Sequence, residues 1–151
     1  SGNEAKFVRE ILGPELLKVM RSMGHGDRLV LADANFPSNS IGKKVIRLDG
    51  IDIPKAAEAI LSVFPLDSFV RSAVYRMEID NNPNEINEVH KELIETVKKT
   101  SGDRWVINSL ERFKFYEIAK EAFVIVSTTD TRAFGCFIFT KGVIKPDGTV
   151  W

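Results

Sequence analysis

Apolar residues recur at helical spacing in four stretches, and short apolar or alternating runs lie between them. In the first stretch Leu16, Leu17, Met20 and Met23 share a stripe, with Pro14 suited to the opening turn of a helix over Pro14–Met23. In the second, Asp52 caps a run whose inward positions are Ile53, Ala56, Ala57, Ile60, Leu61 and Phe64, and Pro65 ends it. The longest pattern follows the turn cluster at 80–84. It carries Ile86, Val89, Leu93, Ile94 and Val97 on one face, Lys98 and Lys99 at its end, and Gly102 as its stop. A fourth helix is expected over Glu111–Ala122, capped by Ser109 and packed through Phe115, Ile118 and Ala119. Strand patterns fall over Arg28–Asp33, Val45–Leu48, Phe69–Ile79, Trp105–Asn108, Phe123–Ser127 and Phe134–Thr140. The last two are separated by 128–132, for which a hairpin is one option. Strands alternating with helices predict an α/β sandwich, one domain over 1–151, with a largely buried sheet flanked by helices.

Between the first helix and the first strand lies Met23-Gly24-His25-Gly26-Asp27. Gly24 is placed as a left-handed helix stop, and Gly26 leaves His25 in an uncrowded, reachable turn. Asp33 falls at the carboxyl end of the strand, where open α/β sheets hold ligands. The expectation is that imidazole and carboxylate converge on one rim, as proton exchange with a substrate requires. The plainer alternative is a turn and a cap. The stretch Ala34–Lys44 is either an ordinary connection or a flap over a ligand. His90 has no partner at ligand spacing and reads as a packing or helix-surface histidine. No glycine-rich phosphate loop, zinc-spaced cluster or Gly-x-Ser-x-Gly elbow is present, which disfavours nucleotide, metal and serine-hydrolase chemistry.

Composition narrows the partners. The 151 residues are 44% hydrophobic and 28% charged, an ordinary globular balance. Lys plus Arg and Asp plus Glu are equal at 21 each, so the charge footprint of a general nucleic-acid or membrane-surface binder is missing. The single cysteine, Cys136, allows no intrachain disulfide, and a cytoplasmic setting is expected. No apolar run approaches the ~20 residues that span a bilayer.

The histidine stretch continues into Leu31-Ala32-Asp33-Ala34-Asn35-Phe36-Pro37. It is followed by Ile46-Arg47-Leu48-Asp49-Gly50, Pro65-Leu66-Asp67-Ser68-Phe69, Glu111-Arg112-Phe113-Lys114-Phe115-Tyr116-Glu117 and Lys141-Gly142-Val143-Ile144. In this order they resemble the L-fucose mutarotase family, its eukaryotic branch in particular, and more distantly D-ribose pyranase. The resemblance implies the fold of those proteins and a cofactor-independent isomerase that interconverts the α and β anomers of a reducing monosaccharide, with no metal. It implies His25 as the acid–base residue, Asp33, Asp67 and Arg112 as sugar-binding residues, and a homo-oligomeric ring, a decamer, with sites at subunit boundaries. The ribose branch has histidine at the position of Arg112. Where family members read Tyr-Gly-Asn, this chain has Phe134-Gly135-Cys136, losing a phenolic hydroxyl and an amide. The alternatives are a noncatalytic sugar-binding relative and a pyranose–furanose isomerase of the ribose type.

Overall fold

The computed structural model describes residues 2–151; Ser1, included in the expected domain, lies outside the described residues. The elements are α1 (Gly2–Ile11), α2 (Pro14–Ser22), β1 (Arg28–Ala32), α3 (Ser38–Ile41), β2 (Val45–Leu48), α4 (Ile53–Leu61), β3 (Val74–Met77), α5 (Glu88–Ser101), β4 (Ile107–Leu110), α6 (Arg112–Glu121), β5 (Val124–Thr128) and β6 (Phe137–Thr140). The strands form one sheet in the order β2-β5-β1-β6-β3-β4. β1 pairs parallel with β5, β5 with β2, and β3 with β4, while β6 runs antiparallel between β1 and β3. Five strands therefore point one way, and the sheet has a carboxyl edge and an amino edge.

Both faces of the sheet are covered, as the near-continuous apolar strands require. Leu29, Leu31, Val124, Val126, Phe137 and Phe139 belong to one cluster with Leu16 of α2, Ile60 of α4 and Leu93 of α5. Val30, Ala32, Ile125 and Ile138 belong to a second with Phe115 and Ala119 of α6. Each fully buried Leu, Ile or Phe in these layers contributes about 1.5–3 kcal/mol, so the sheet is a stiff platform for whatever its edges carry.

The helix starts follow the chemistry of their caps, with one correction. Asp52 accepts from Lys55 N at 3.0 Å and Asn87 from His90 N at 3.1 Å. The cap of α6 is Glu111, accepting from Lys114 N at 2.8 Å, and not Ser109, which lies in β4 and donates to Glu78 at 2.6 Å. The expected strand over 69–79 shortens to β3. Asp67 draws the Phe69 N–H into a local turn at 3.0 Å, and Ser72 Oγ donates to the carbonyls of Val74 and Val106 at 2.7 and 2.9 Å. Such side-chain bonds compete with a strand ladder. No hairpin joins β5 and β6, because β1 lies between them and β6 pairs antiparallel with β1 and β3. The left-handed residue of the histidine turn is Gly26, at φ +88°, rather than Gly24.

Candidate functional site

At the amino edge the loop after α2 is pinned to the end of β6. Gly26 N donates to Lys141 O at 2.9 Å, Lys141 N to Asp27 O at 2.8 Å, and Lys141 Nζ to the carbonyls of Met20 and Met23 at 2.7 and 2.6 Å. Next to Lys141, Gly142 permits a close approach that no other residue allows. A Cβ there would lie 2.8 Å from Asp67 Cα and closer still to the Leu66 carbonyl. That approach sets Asp67, 2% exposed, beneath the histidine turn, where its Oδ1 accepts from His25 Nε2 at 3.1 Å. The imidazole is 48% exposed, so a buried carboxylate holds one ring nitrogen while the rest of the ring faces outward. Phe69 stands edge-on to it at 5.5 Å, and Asp67 also lines a cleft of about 280 Å³ with Arg71, Arg104 and Val106.

At the carboxyl edge Asp33 closes a turn. Its Oδ1 accepts from Asn35 N and Phe36 N at 3.0 and 2.9 Å, and Oδ2 from Gly135 N at 3.1 Å. With the Cys136 thiol as a further donor, the roughly four lone-pair sites of the carboxylate are occupied. Burial pushes its pKa above 3.8, opposed by these donors. Burial likewise drives the Cys136 thiol well above its ordinary value. Beyond the turn, Phe36 meets Tyr116 at 5.4 Å, and the exposed Arg112 guanidinium lies 4.9 and 5.8 Å from the rings of Phe113 and Tyr116.

Phe134 leads into β6 with φ +60°, a left-handed conformation that is costly for a bulky residue and persists only where its surroundings fix it. The N-cap of α5 and a residue of its first turn do so. Asn87 Nδ2 donates to Ala133 O and His90 Nε2 to Phe134 O, both at 2.8 Å. His90 is fully buried, a packing histidine that also clamps this turn, and burial pulls its pKa below 6.5. Its Nδ1 and the buried Nη1 of Arg76 have no hydrogen-bond partner.

His25 and Asp33 thus do not converge within one chain. His25 precedes β1 and Asp33 follows it, and five extended residues at about 3.3 Å each separate their edges by roughly 16 Å. His25 and Asp67 share the amino edge; Asp33, Arg112, Phe134, Gly135 and Cys136 share the carboxyl edge. Sequence reasoning missed the pairing of His25 with Asp67, the Phe69 wall and the clamp by His90. The Asp-Ser-Phe spacing at 67–69, an Asx-turn signature, was the available signal for the first two.

A buried, mostly parallel sheet flanked by helices, with polar groups gathered at both edges, makes this an α/β sandwich domain, and comparison with known proteins specifies which. The chain belongs to the RbsD / FucU transport protein family, whose model matches residues 6–144. Fucose mutarotase of Danio rerio is 43% identical over 149 residues, covering 94% of this chain and 95% of that protein. Fucose mutarotase of Homo sapiens is 42% identical over 145 residues, covering 92% and 94%. Among solved structures, fucose mutarotase from Streptococcus pneumoniae in complex with L-fucose superposes with a TM-score of 0.84 at 38% identity, covering 90% of this chain and 96% of that one. Among the described residues no helix is long and apolar enough to cross a membrane.

Proposed function

We propose that this chain interconverts the α and β anomers of L-fucose by acid–base catalysed opening and closure of the hemiacetal ring. The site is completed where the amino edge of one subunit meets the carboxyl edge of the next in a closed homo-oligomeric ring, a decamer by family resemblance. The relatives at about 40% identity supply the substrate. The observation that carries the chemistry is the His25–Asp67 pair, a half-exposed imidazole held at 3.1 Å by a carboxylate that is otherwise buried.

With Nε2–H directed at Asp67, Nδ1 is the nitrogen available to the sugar. In its protonated state it delivers a proton to the ring oxygen as the C1–O bond breaks, while a base removes the proton of the anomeric hydroxyl, giving the open-chain aldehyde. Rotation about C1–C2 and the reverse transfers close the ring on the other face, so atoms and electrons balance without an added reactant. Positioned proton transfer supplies about 10²- to 10⁴-fold. From the neighbouring subunit, Asp33 accepts a sugar hydroxyl in place of the weakly donating Cys136 thiol, and Arg112 donates to another.

Head-to-tail contacts between unlike edges close into rings. That arrangement brings together what the roughly 16 Å of β1 keeps apart, and it accounts for exposed apolar residues at both edges, among them Val106 at 60% and Phe113 at 62%. A second reading, sugar binding without turnover, is favoured by one feature: Phe134 offers no hydroxyl to serve as the base. Saturation-transfer NMR with L-fucose separates the two. Wild type is expected to exchange anomers faster than buffer, and His25→Ala to fall to the buffer rate. An unchanged rate in the variant removes His25 from the mechanism.

A further inference from the structure

The family match stops at residue 144, and the stretch that follows folds back toward Phe69, the aromatic neighbour of the histidine. Ile144 pairs antiparallel with Val150 in an isolated bridge, and the turn between them is closed by Lys145 N to Thr149 O at 2.7 Å and Gly148 N to Lys145 O at 2.9 Å. Asp147 accepts from Thr149 N and Oγ1 at 3.0 and 2.7 Å. The small hairpin ends at Trp151, which is held from three sides. Its N–H donates to Val143 O at 3.0 Å, its backbone oxygen accepts from Arg104 Nη2 at 2.6 Å, and the Lys145 ammonium lies 4.6 Å from its ring centroid. The indole thereby rests 5.9 Å from the ring of Phe69, which stands 5.5 Å from His25. Trp151 and Phe69 remain 48% and 62% exposed, so the two rings present a continuous aromatic surface, with Phe69 next to the imidazole and Trp151 beyond it.

Resting on the mutarotase reading, we propose that Trp151 and Phe69 form the wall that receives the substituent on C5 of the sugar, so that the 144–151 hairpin sets this chain's preference for a 6-deoxy sugar over its 6-hydroxy counterpart. A group that protonates the ring oxygen sits within about 2.6–3.2 Å of it. In a pyranose the ring oxygen is bonded to C5, so the exocyclic carbon on C5 lies beside the same imidazole. A methyl group there needs only apolar contact. A hydroxymethyl group places a hydroxyl against the faces of two aromatic rings, which, unlike the indole N–H at the ring edge, offer it no hydrogen bond, at a cost. An apolar wall rejects an added hydroxyl only modestly, by about 10- to 10²-fold, so the preference is graded rather than absolute.

Two measurements test this. The first compares anomer exchange of L-fucose and of L-galactose, its 6-hydroxy counterpart, in wild type, Trp151→Phe and Trp151→Ala. Wild type is expected to favour L-fucose by about tenfold or more in kcat/KM. Trp151→Ala should narrow that ratio several-fold, mainly through KM for L-fucose, and Trp151→Phe should retain most of it. The second uses Trp105→Phe, which leaves Trp151 as the sole remaining tryptophan of the two, and follows its emission during titration with L-fucose. Saturable change is expected. A ratio unmoved by Trp151→Ala, or emission indifferent to L-fucose while exchange proceeds, overturns the wall. A saturable response in a wild-type protein that exchanges no anomers keeps the wall and sinks the catalytic reading. Neither exchange nor response sinks both.

Discussion

Asp67 and Asp33 are both buried carboxylates at an edge of one sheet, 2% and 4% exposed, but their partners differ. Asp33 spends its lone pairs on the backbone N–H groups of Asn35, Phe36 and Gly135, so its first effect is on shape: it ties the end of β1 to the turn that enters β6. Asp67 accepts one backbone N–H and turns the same oxygen toward a half-exposed imidazole. Burial alone therefore does not mark a chemical group. What separates the two is whether an accessible, proton-exchanging partner stands next to the carboxylate, and only the amino edge has one. The carboxyl edge offers the complement, a scaffolded acceptor bordered by aromatic rings and the exposed Arg112 guanidinium.

If the contrast is right, loosening the amino edge has the largest effect. Asp67→Asn keeps the size of the side chain but replaces a charged acceptor with a neutral one, and loses the charge-assisted hold on His25. L-fucose exchange is expected to drop by about 10- to 10²-fold in kcat, measured by saturation transfer, with little change in KM. A rise in KM alone places Asp67 in binding rather than in the orientation of His25.

The carboxyl edge is sharpened by restoring what it lacks. Phe134→Tyr with Cys136→Asn returns a phenolic hydroxyl and a full hydrogen-bonding amide, and exchange is expected to rise by about tenfold or more. The left-handed backbone of residue 134 is already fixed by His90 and Asn87, so the new hydroxyl meets a preformed turn. No gain means that a hydroxyl at position 134 takes no part in proton transfer in this protein.

The smallest effect concerns the clamp itself. Burial lowers the pKa of His90 below 6.5, so in the window beneath 6.5 the unfolded chain binds more protons than the native one, and stability falls as pH falls. Arg76, the charged group acting on it, pushes in the same direction. Asp33 works oppositely and lower: its raised pKa means that native protein binds the extra proton just above 3.8, which favours folding on acidification there. Chemical denaturation between pH 7.5 and 5.5 should show a declining midpoint in wild type and a flatter profile in His90→Gln. Parallel profiles mean that His90 does not govern the decline.

Much of the fold was legible because its signals are local. The 3.6-residue stripes of α2, α4 and α5 and the apolar run of β1 carry their own periodicity, and Asp52 is a cap wherever it occurs before such a stripe. Three features were hidden behind patterns that read more simply than they fold. The alternation from Phe69 to Ile79 looks like one long strand, yet Asp67 and Ser72 bend its first half into a loop and leave Phe69 in the open as a wall. β6 follows β5 closely in sequence but pairs with β1 and β3, which no turn signal reveals. His25 and Asp33 are eight residues apart, a spacing that reads as proximity, and the extended backbone between them makes it separation. The true neighbour of His25 is Asp67, brought in by the close approach at Gly142, an event visible only once β6 is in place. The residue pattern singled out His25 and Asp33, the family resemblance added Asp67 and Arg112, and the fold distributes these four over two edges of the sheet.

The separation of the two edges makes one experiment decisive. His25→Ala subunits keep an intact carboxyl edge, and Asp33→Asn subunits keep an intact amino edge. Each parent alone is expected to show anomer exchange at or near the buffer rate. When the two are mixed one to one into common rings, with mixed assembly verified by native mass spectrometry, about one boundary in four joins an intact His25 to an intact Asp33 of the neighbour. Exchange of L-fucose should then recover to about a quarter of the wild-type rate. Mixed rings no more active than their parents would place both residues' contributions within a single chain and contradict the shared site.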